Sequence, residues 1–128
     1  MTDYGITEKL DCSYEEAVQR TKDELEEHGF GVLSEIDVSE KFKKKLDVDF
    51  DDYIILGACN PEMAYRAIQK EQKLGLLLPC NFIVHVEDDE TFVSAIKPTK
   101  VLEVPENSDL HPIAEKVEEE LNRVVKHI

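Results

Sequence analysis

Two short segments of the chain pair a thiol with a side-chain amide beside a proline. Cys59-Asn60-Pro61 closes the apolar run Tyr53 to Ala58, and Pro79-Cys80-Asn81 opens the next one. A thiol at the junction of a strand and a helix meets the positive end of the helix dipole and N–H groups that lack intrahelical partners. Both favour thiolate over thiol. Cys59 is on this basis the candidate nucleophile and Cys80 the candidate resolving thiol, with Asn60 and Asn81 offering amide groups to a polar ligand. If the strand ending at Cys59 and the strand starting at Cys80 are antiparallel neighbours, the pair comes within disulfide reach, about 5.5–6 Å between α-carbons. Two thiolates also suit a soft metal, zinc or Cu(I). Against both stands an architectural reading: free cysteine is among the most buried residue types, and asparagine at a helix cap followed by proline in the first turn is ordinary helix-start chemistry.

Other chemistry is sparse. The third cysteine, Cys12, makes an odd count, and no Cys-x-x-Cys or His-x-x-x-His spacing provides a zinc motif. No metal or cofactor is therefore assigned. His85 lies five residues from Cys80, which on a regular strand turns it to the opposite face. His28, His111 and His127 fall on helices and read as surface histidines. Glu35 and Asp37, and Asp49 and Asp51, form acid pairs, but 29 acids in 128 residues make such pairs frequent by chance. No glycine-rich phosphate loop, nucleophile elbow or Ser-His-Asp arrangement is visible. Whether the chain is an enzyme stays open at this level.

The formal net charge of −14 repels a phosphate backbone and disfavours nucleic-acid binding. Lys41 and Lys43-Lys44-Lys45, the one basic cluster, read as the solvated face of a short helix. No apolar run approaches the ~18 residues of a membrane span, and the polar start Met1-Thr2-Asp3-Tyr4 is unlike a secretory signal. The expectation is a cytoplasmic chain forming a single domain over residues 1–128, with no membrane partner.

The elements that must hold the cysteines follow from periodicity. Tyr4 to Leu10 alternates as a first strand. Ser13-Tyr14-Glu15-Glu16 is a capping box opening a helix that Gly29 ends. Phe30 to Val38 alternates as a second strand, and Ser39 opens a short helix through Leu46. Tyr53 to Ala58 is continuously apolar and reads as a central strand buried on both faces. Asn60 caps a helix starting at Pro61, with Ala64, Ala67 and Ile68 as its apolar stripe and Gly75 at its end. Cys80 to Glu87 and Thr91 to Ile96 form a hairpin with a loop of about three residues. An irregular connection after Pro98 leads to a final helix capped by Ser108 or Asp109, whose stripe runs from Ile113 to Ile128. The order β-α-β-(α)-β-α-β-β-α, with a hairpin too tight for a crossover, predicts an α+β two-layer sandwich with a mainly antiparallel five-stranded sheet covered on one face.

Glu15 to Val38, "EEAVQRTKDELEEHGFGVLSEIDV", resembles the opening of the domain of unknown function 302 family. "ILGACNPEMAYRAIQ" (Ile55 to Gln69), "GLLLPCNFIV" (Gly75 to Val84) and "VSAIKP" (Val93 to Pro98) resemble its later blocks in the same order. The resemblance implies a curved antiparallel sheet with helices on one side, similar to the TATA-binding-protein half-domain, and it carries no activity. Lys97 stands where the family commonly has an acid, and Cys12 where it commonly has proline or another residue.

Three functions remain in view: a thiol-based small-ligand or redox site at Cys59, Asn60, Cys80 and Asn81; a soft-metal site; and a non-enzymatic module that binds a small molecule or a partner. Leu76-Leu77-Leu78-Pro79 is the apolar run that would make the last of these a homodimer, unless those leucines complete the core.

Overall fold

Alternating polarity becomes pleat where strands pair, and the pairing here is antiparallel throughout. The computed structural model describes residues 3–128; Met1 and Thr2 of the polar N-terminal stretch lie outside the described residues. The elements are β1 (Gly5–Leu10), α1 (Tyr14–Glu27), β2 (Gly31–Asp37), α2 (Val38–Leu46), β3 (Tyr53–Cys59), α3 (Pro61–Lys70), β4 (Cys80–Glu87), β5 (Glu90–Ile96), α4 (Pro98–Val101) and α5 (His111–His127), with 3-10 turns at Gln72–Leu77 and Ser108–Leu110. The five strands lie in the order β1-β5-β4-β3-β2. This is the expected α+β sandwich with a five-stranded antiparallel sheet.

One face of the sheet carries the core. Leu56 of β3, Phe82 and Val84 of β4, and Val93 and Ala95 of β5 pack against Ala17 and Leu25 of α1 and Leu121 and Val124 of α5. A second, smaller cluster joins Ala67 of α3, Leu74, Leu102, Leu110 and Ala114 of α5. The expectation that β3 is buried on both faces is corrected. Ile54, Leu56 and Ala58 are buried, whereas Tyr53 and Ile55 are only half-buried, because the core-forming helices α1 and α5 pack on the other face. The short helix α2 buries no residue.

Local chemistry sets the ends. Ser13 Oγ accepts from the Glu16 amide at 3.1 Å, and Gly29 takes the left-handed conformation (φ 80°) past the last turn of α1. The cap of α2 is Asp37 and not Ser39: the Asp37 carboxylate accepts the Glu40 amide at 3.0 Å and the Ser39 hydroxyl at 2.9 Å, so the earlier and stronger acceptor wins. The hairpin loop is two residues, not three. Glu87 faces Glu90, and Asp88 and Asp89 both have positive φ, which is the twist-matched two-residue turn. Helix α3 stops at Lys70, short of Gly75, which lies inside the 3-10 turn. The connection from Pro98 opens with the four-residue helix α4 and is irregular only from Leu102 to Asn107. Asn107 Oδ1 caps the second 3-10 turn through the Asp109 amide, in place of Ser108 or Asp109 capping α5. No helix of the structure is long and apolar enough to cross a membrane.

Candidate functional site

The pairing of β3 with β4 settles the geometric condition on the two cysteines. The strands are antiparallel neighbours, and Cys80 stands opposite Ala58, one residue before Cys59. Cys59 itself stands opposite Gly31 on β2. The two thiols are thus neighbours one position out of register, and both are free.

Their electrostatics run against the helix-start expectation. Burial pushes the Cys59 thiol up from its ordinary pKa. Cys80 is pushed up to about 11, by burial first and by the neighbouring Cys59 second. The cause is burial, and the helix start offers little to offset it. Asn60 Oδ1 already accepts the Met63 amide at 3.2 Å, satisfying an N–H of the first turn, while the apolar surroundings penalise a thiolate. Asn60 is therefore committed to the helix through its oxygen, and Asn81 is exposed on β4 opposite Gly57.

Gly57 is required where these segments meet. A Cβ there would lie 2.4 Å from Ser34 Oγ and 2.7 Å from Pro79 Cγ. The ring of Pro79 thus packs over the β3 backbone and locks the start of β4.

Behind the cysteines is a cavity of about 190 Å³, between the two core clusters. Its floor is Phe30 and Ala58 from the sheet side, its walls are Met63, Ala64 and Ala67 of α3 with Ile113 and Val117 of α5, and all four residues Cys59, Asn60, Cys80 and Asn81 line it. Leu77, Leu78 and Pro79 line it as well; Leu77 and Leu78 pack on the second cluster, while Leu76 is 84% exposed. Val101 and Leu102 close the far side. Their short helix is held by Glu118 of α5, whose Oε1 accepts the Thr99 amide at 3.1 Å and the Thr99 hydroxyl at 2.6 Å. Asn107 Nδ2 donates to Lys70 O at 3.0 Å and ties the end of α3 to the same wall.

Sequence reasoning placed Ala64, Ala67, Ile113 and Val117 in core stripes and missed them as cavity walls. A signal was present: α3 puts two alanines, three apart, on the face where a larger side chain would have filled the space. No histidine reaches the cavity. His85 sits on the open sheet face between Tyr53 and Phe92, at 5.5 Å centroid distance from each, and His28 lies 6.0 Å from His127. Among the described residues no three His, Cys, Asp or Glu side chains converge as a metal-binding set.

The family model described as domain of unknown function DUF302 matches residues 6–128. The chain belongs to the DUF302 family. It is similar to a crystal structure of an uncharacterized conserved DUF302 protein from Bacillus stearothermophilus, at 29% identity and a TM-score of 0.92, with 98% of each chain covered. No curated protein matches the chain. The resemblance read from the four blocks is therefore a true membership, and two of them, Ile55 to Gln69 and Gly75 to Val84, supply most of the cavity lining.

Proposed function

We propose that this DUF302 chain is a non-enzymatic binding module for a small, mainly apolar molecule held in the cavity beside Cys59 and Cys80. The observation that carries the reading is the cavity itself. At about 190 Å³ it exceeds the ~150 Å³ apolar cavity that stays dry and takes up benzene, and its lining is apolar, with one aromatic ring, Phe30, apart from the two Cys-Asn pairs. Protonated thiols give a polarisable, weakly polar rim suited to an apolar or aromatic guest. Asn60 Nδ2 is the side-chain polar group at hand for one hydrogen-bonding substituent, since strand alternation turns the exposed Asn81 amide to the open face of the sheet.

The redox form of the site has less support, since thiols held above their ordinary pKa are poor nucleophiles near neutral pH. The soft-metal form would rest on two thiolates without a third ligand.

The test is a thermal melt with graded probes: benzene, indole, cyclohexanol and a charged control, benzoate. A ligand at a hundred times its Kd stabilises by about 2.7 kcal/mol, so indole or benzene should raise the melting temperature saturably and benzoate should not. A64L or A67L, which place a side chain in the cavity, should fold and lose the shift. Absence of a shift with every neutral probe, or an undiminished shift in both filled variants, overturns the reading.

A further inference from the structure

We infer that the uncovered face of the sheet is the contact surface for a second copy of this chain, packed sheet on sheet. The inference is independent of the cavity and of Leu76, and it starts from the register. The pairings place Thr7, Ser94, Ile83, Ile55 and Ile36 in one row across all five strands on the face away from the core. On the cysteine side of it lie Gly5 with Ile96, and Asn81, Gly57 and Ser34. On the other side lie Lys9, Phe92, His85 and Tyr53.

Charged residues make up 34% of the chain, yet the first two of these rows contain none. The single charge of the third, Lys9, is paired at 2.9 Å with Glu90, which with Glu87 forms the charged row that ends this face at the hairpin. A sheet face meant for water alternates toward polar side chains; this one presents Ile36, Ile55, Ile83, Ile96, Tyr53 and Phe92. A shallow groove along it passes Tyr4, Ile83, His85 and Phe92, with Lys9, Glu87 and Lys97 at its margins.

Charge decides the occupant. A basic partner would need carboxylates on the contact rows, and an anionic partner would need free cations; these rows offer neither. The complement of an uncharged antiparallel face is another such face, packed at the small angle set by sheet twist. Two copies at −14 each repel through their carboxylates, and these three rows carry none. The size also suffices. Five strands about 4.8 Å apart and about six residues long give a footprint of roughly 24 by 20 Å, so two copies bury about 1,000 Å², the lower bound for a specific interface and the size of one that dissociates on dilution.

Sedimentation equilibrium of the full chain across micromolar to hundred-micromolar concentrations tests this. The wild type should be a dimer that dissociates on dilution. I83D, in the central row, and S94K, which adds charge at a half-buried polar position, should each raise the dissociation constant about a hundredfold or more while keeping the wild-type far-UV circular dichroism. L76D, at an exposed residue outside these strand rows, should leave it unchanged. A monomeric wild type at hundred-micromolar concentration overturns the inference. So does a dimer that survives S94K, or one that L76D dissociates. If I83D fails to fold, S94K alone decides.

Discussion

The two faces of the sheet differ less in composition than in what covers them. On β4, Phe82 and Val84 point into the core and are fully buried, while their alternates Ile83 and His85 are half-buried on the open side. On β5, Val93 is buried and Phe92 is not. The open face also presents large apolar side chains, Ile36, Ile55, Ile83, Ile96, Tyr53 and Phe92, set among small and polar ones, but only the other face has helices packed on it. The lesson concerns the helices as much as the strands: α1 and α5 are amphipathic and pack on one side, and α2, whose residues are all at least partly exposed, does not close the other. The pocket lies on the covered side, where the helix layer itself is incomplete between α3 and α5. Space for a ligand and surface for a partner thus arise on opposite faces from the same shortage of covering side chains.

The largest expected effect sharpens that contrast directly. F82A should cost about 3–5 kcal/mol in urea unfolding, the transfer and cavity terms of a buried aromatic. I83A, one residue away on the open face, should cost about 1 kcal/mol or less in dilute protein. Its cost should grow with protein concentration if a second copy covers it, whereas that of F82A measured between the same concentrations should hardly differ from wild type's own change. Equal costs at low concentration would break the comparison.

Next comes the packing of Pro79 over β3. G57A forces a methyl to 2.4 Å from Ser34 Oγ and 2.7 Å from Pro79 Cγ, an overpacking worth about 1–3 kcal/mol. The double variant G57A/S34G should recover part of that loss but not the share owed to Pro79. G31A is the control: its new Cβ meets nothing nearer than Cys59 O at 4.0 Å, so its melting temperature should stay close to wild type.

The thiols give a pH-dependent effect of smaller size. Burial pushes the Cys80 thiol up to about 11 in the folded protein from its ordinary 9.0, so the unfolded chain loses its proton first as pH rises. Stability conferred by the neutral thiol is complete below pH 9 and falls between pH 9 and 11. Cys59 contributes with the same sign. Tyr14, pushed up to about 12 by burial and then by Asp37 and Asp52, extends the decline above pH 10. In C80A the fall between pH 9 and 11 should flatten, while the slope above it remains; an unchanged profile would show that burial of Cys80 is not what raises it.

The smallest effect separates the two asparagines. N60A should lose about 1 kcal/mol, as a removed helix cap does, whereas N81A, at an exposed strand position, should stay within about 0.5 kcal/mol. Chemical denaturation of the two variants in parallel makes the comparison, and a larger loss for N81A would assign the exposed amide a structural role that its position does not suggest.

Much of the fold was legible because it is written in local chemistry. The helix stripes, the Ser13 and Asn60 caps, the Gly29 stop and the place of the hairpin each depend on residues within a few positions of one another, and each is found where periodicity puts it. Errors fell where two local signals compete over a short distance. Asp37 precedes Ser39 as an acceptor, Asp88 and Asp89 both tolerate positive φ, and a 3-10 turn intervenes before α5. The continuous apolar run of β3 misled in another way: hydrophobicity on both sides of a strand states that both sides can be buried, not that one chain buries them.

What the sequence determined by itself was the identity and direction of the strands and helices, the tight β4–β5 connection that forces antiparallel pairing, and the prominence of the two Cys-Asn pairs. The tertiary structure alone decided that Cys80 meets Ala58 and not Cys59, that burial outweighs the helix start in setting the thiols' acidity, and that alanines from α3 leave room for a cavity against α5. These depend on register and on packing between segments as distant as Ala58, Ala67 and Val117. Periodicity fixes which way a side chain points, but only the assembled neighbours fix how much space and how much water it finds there.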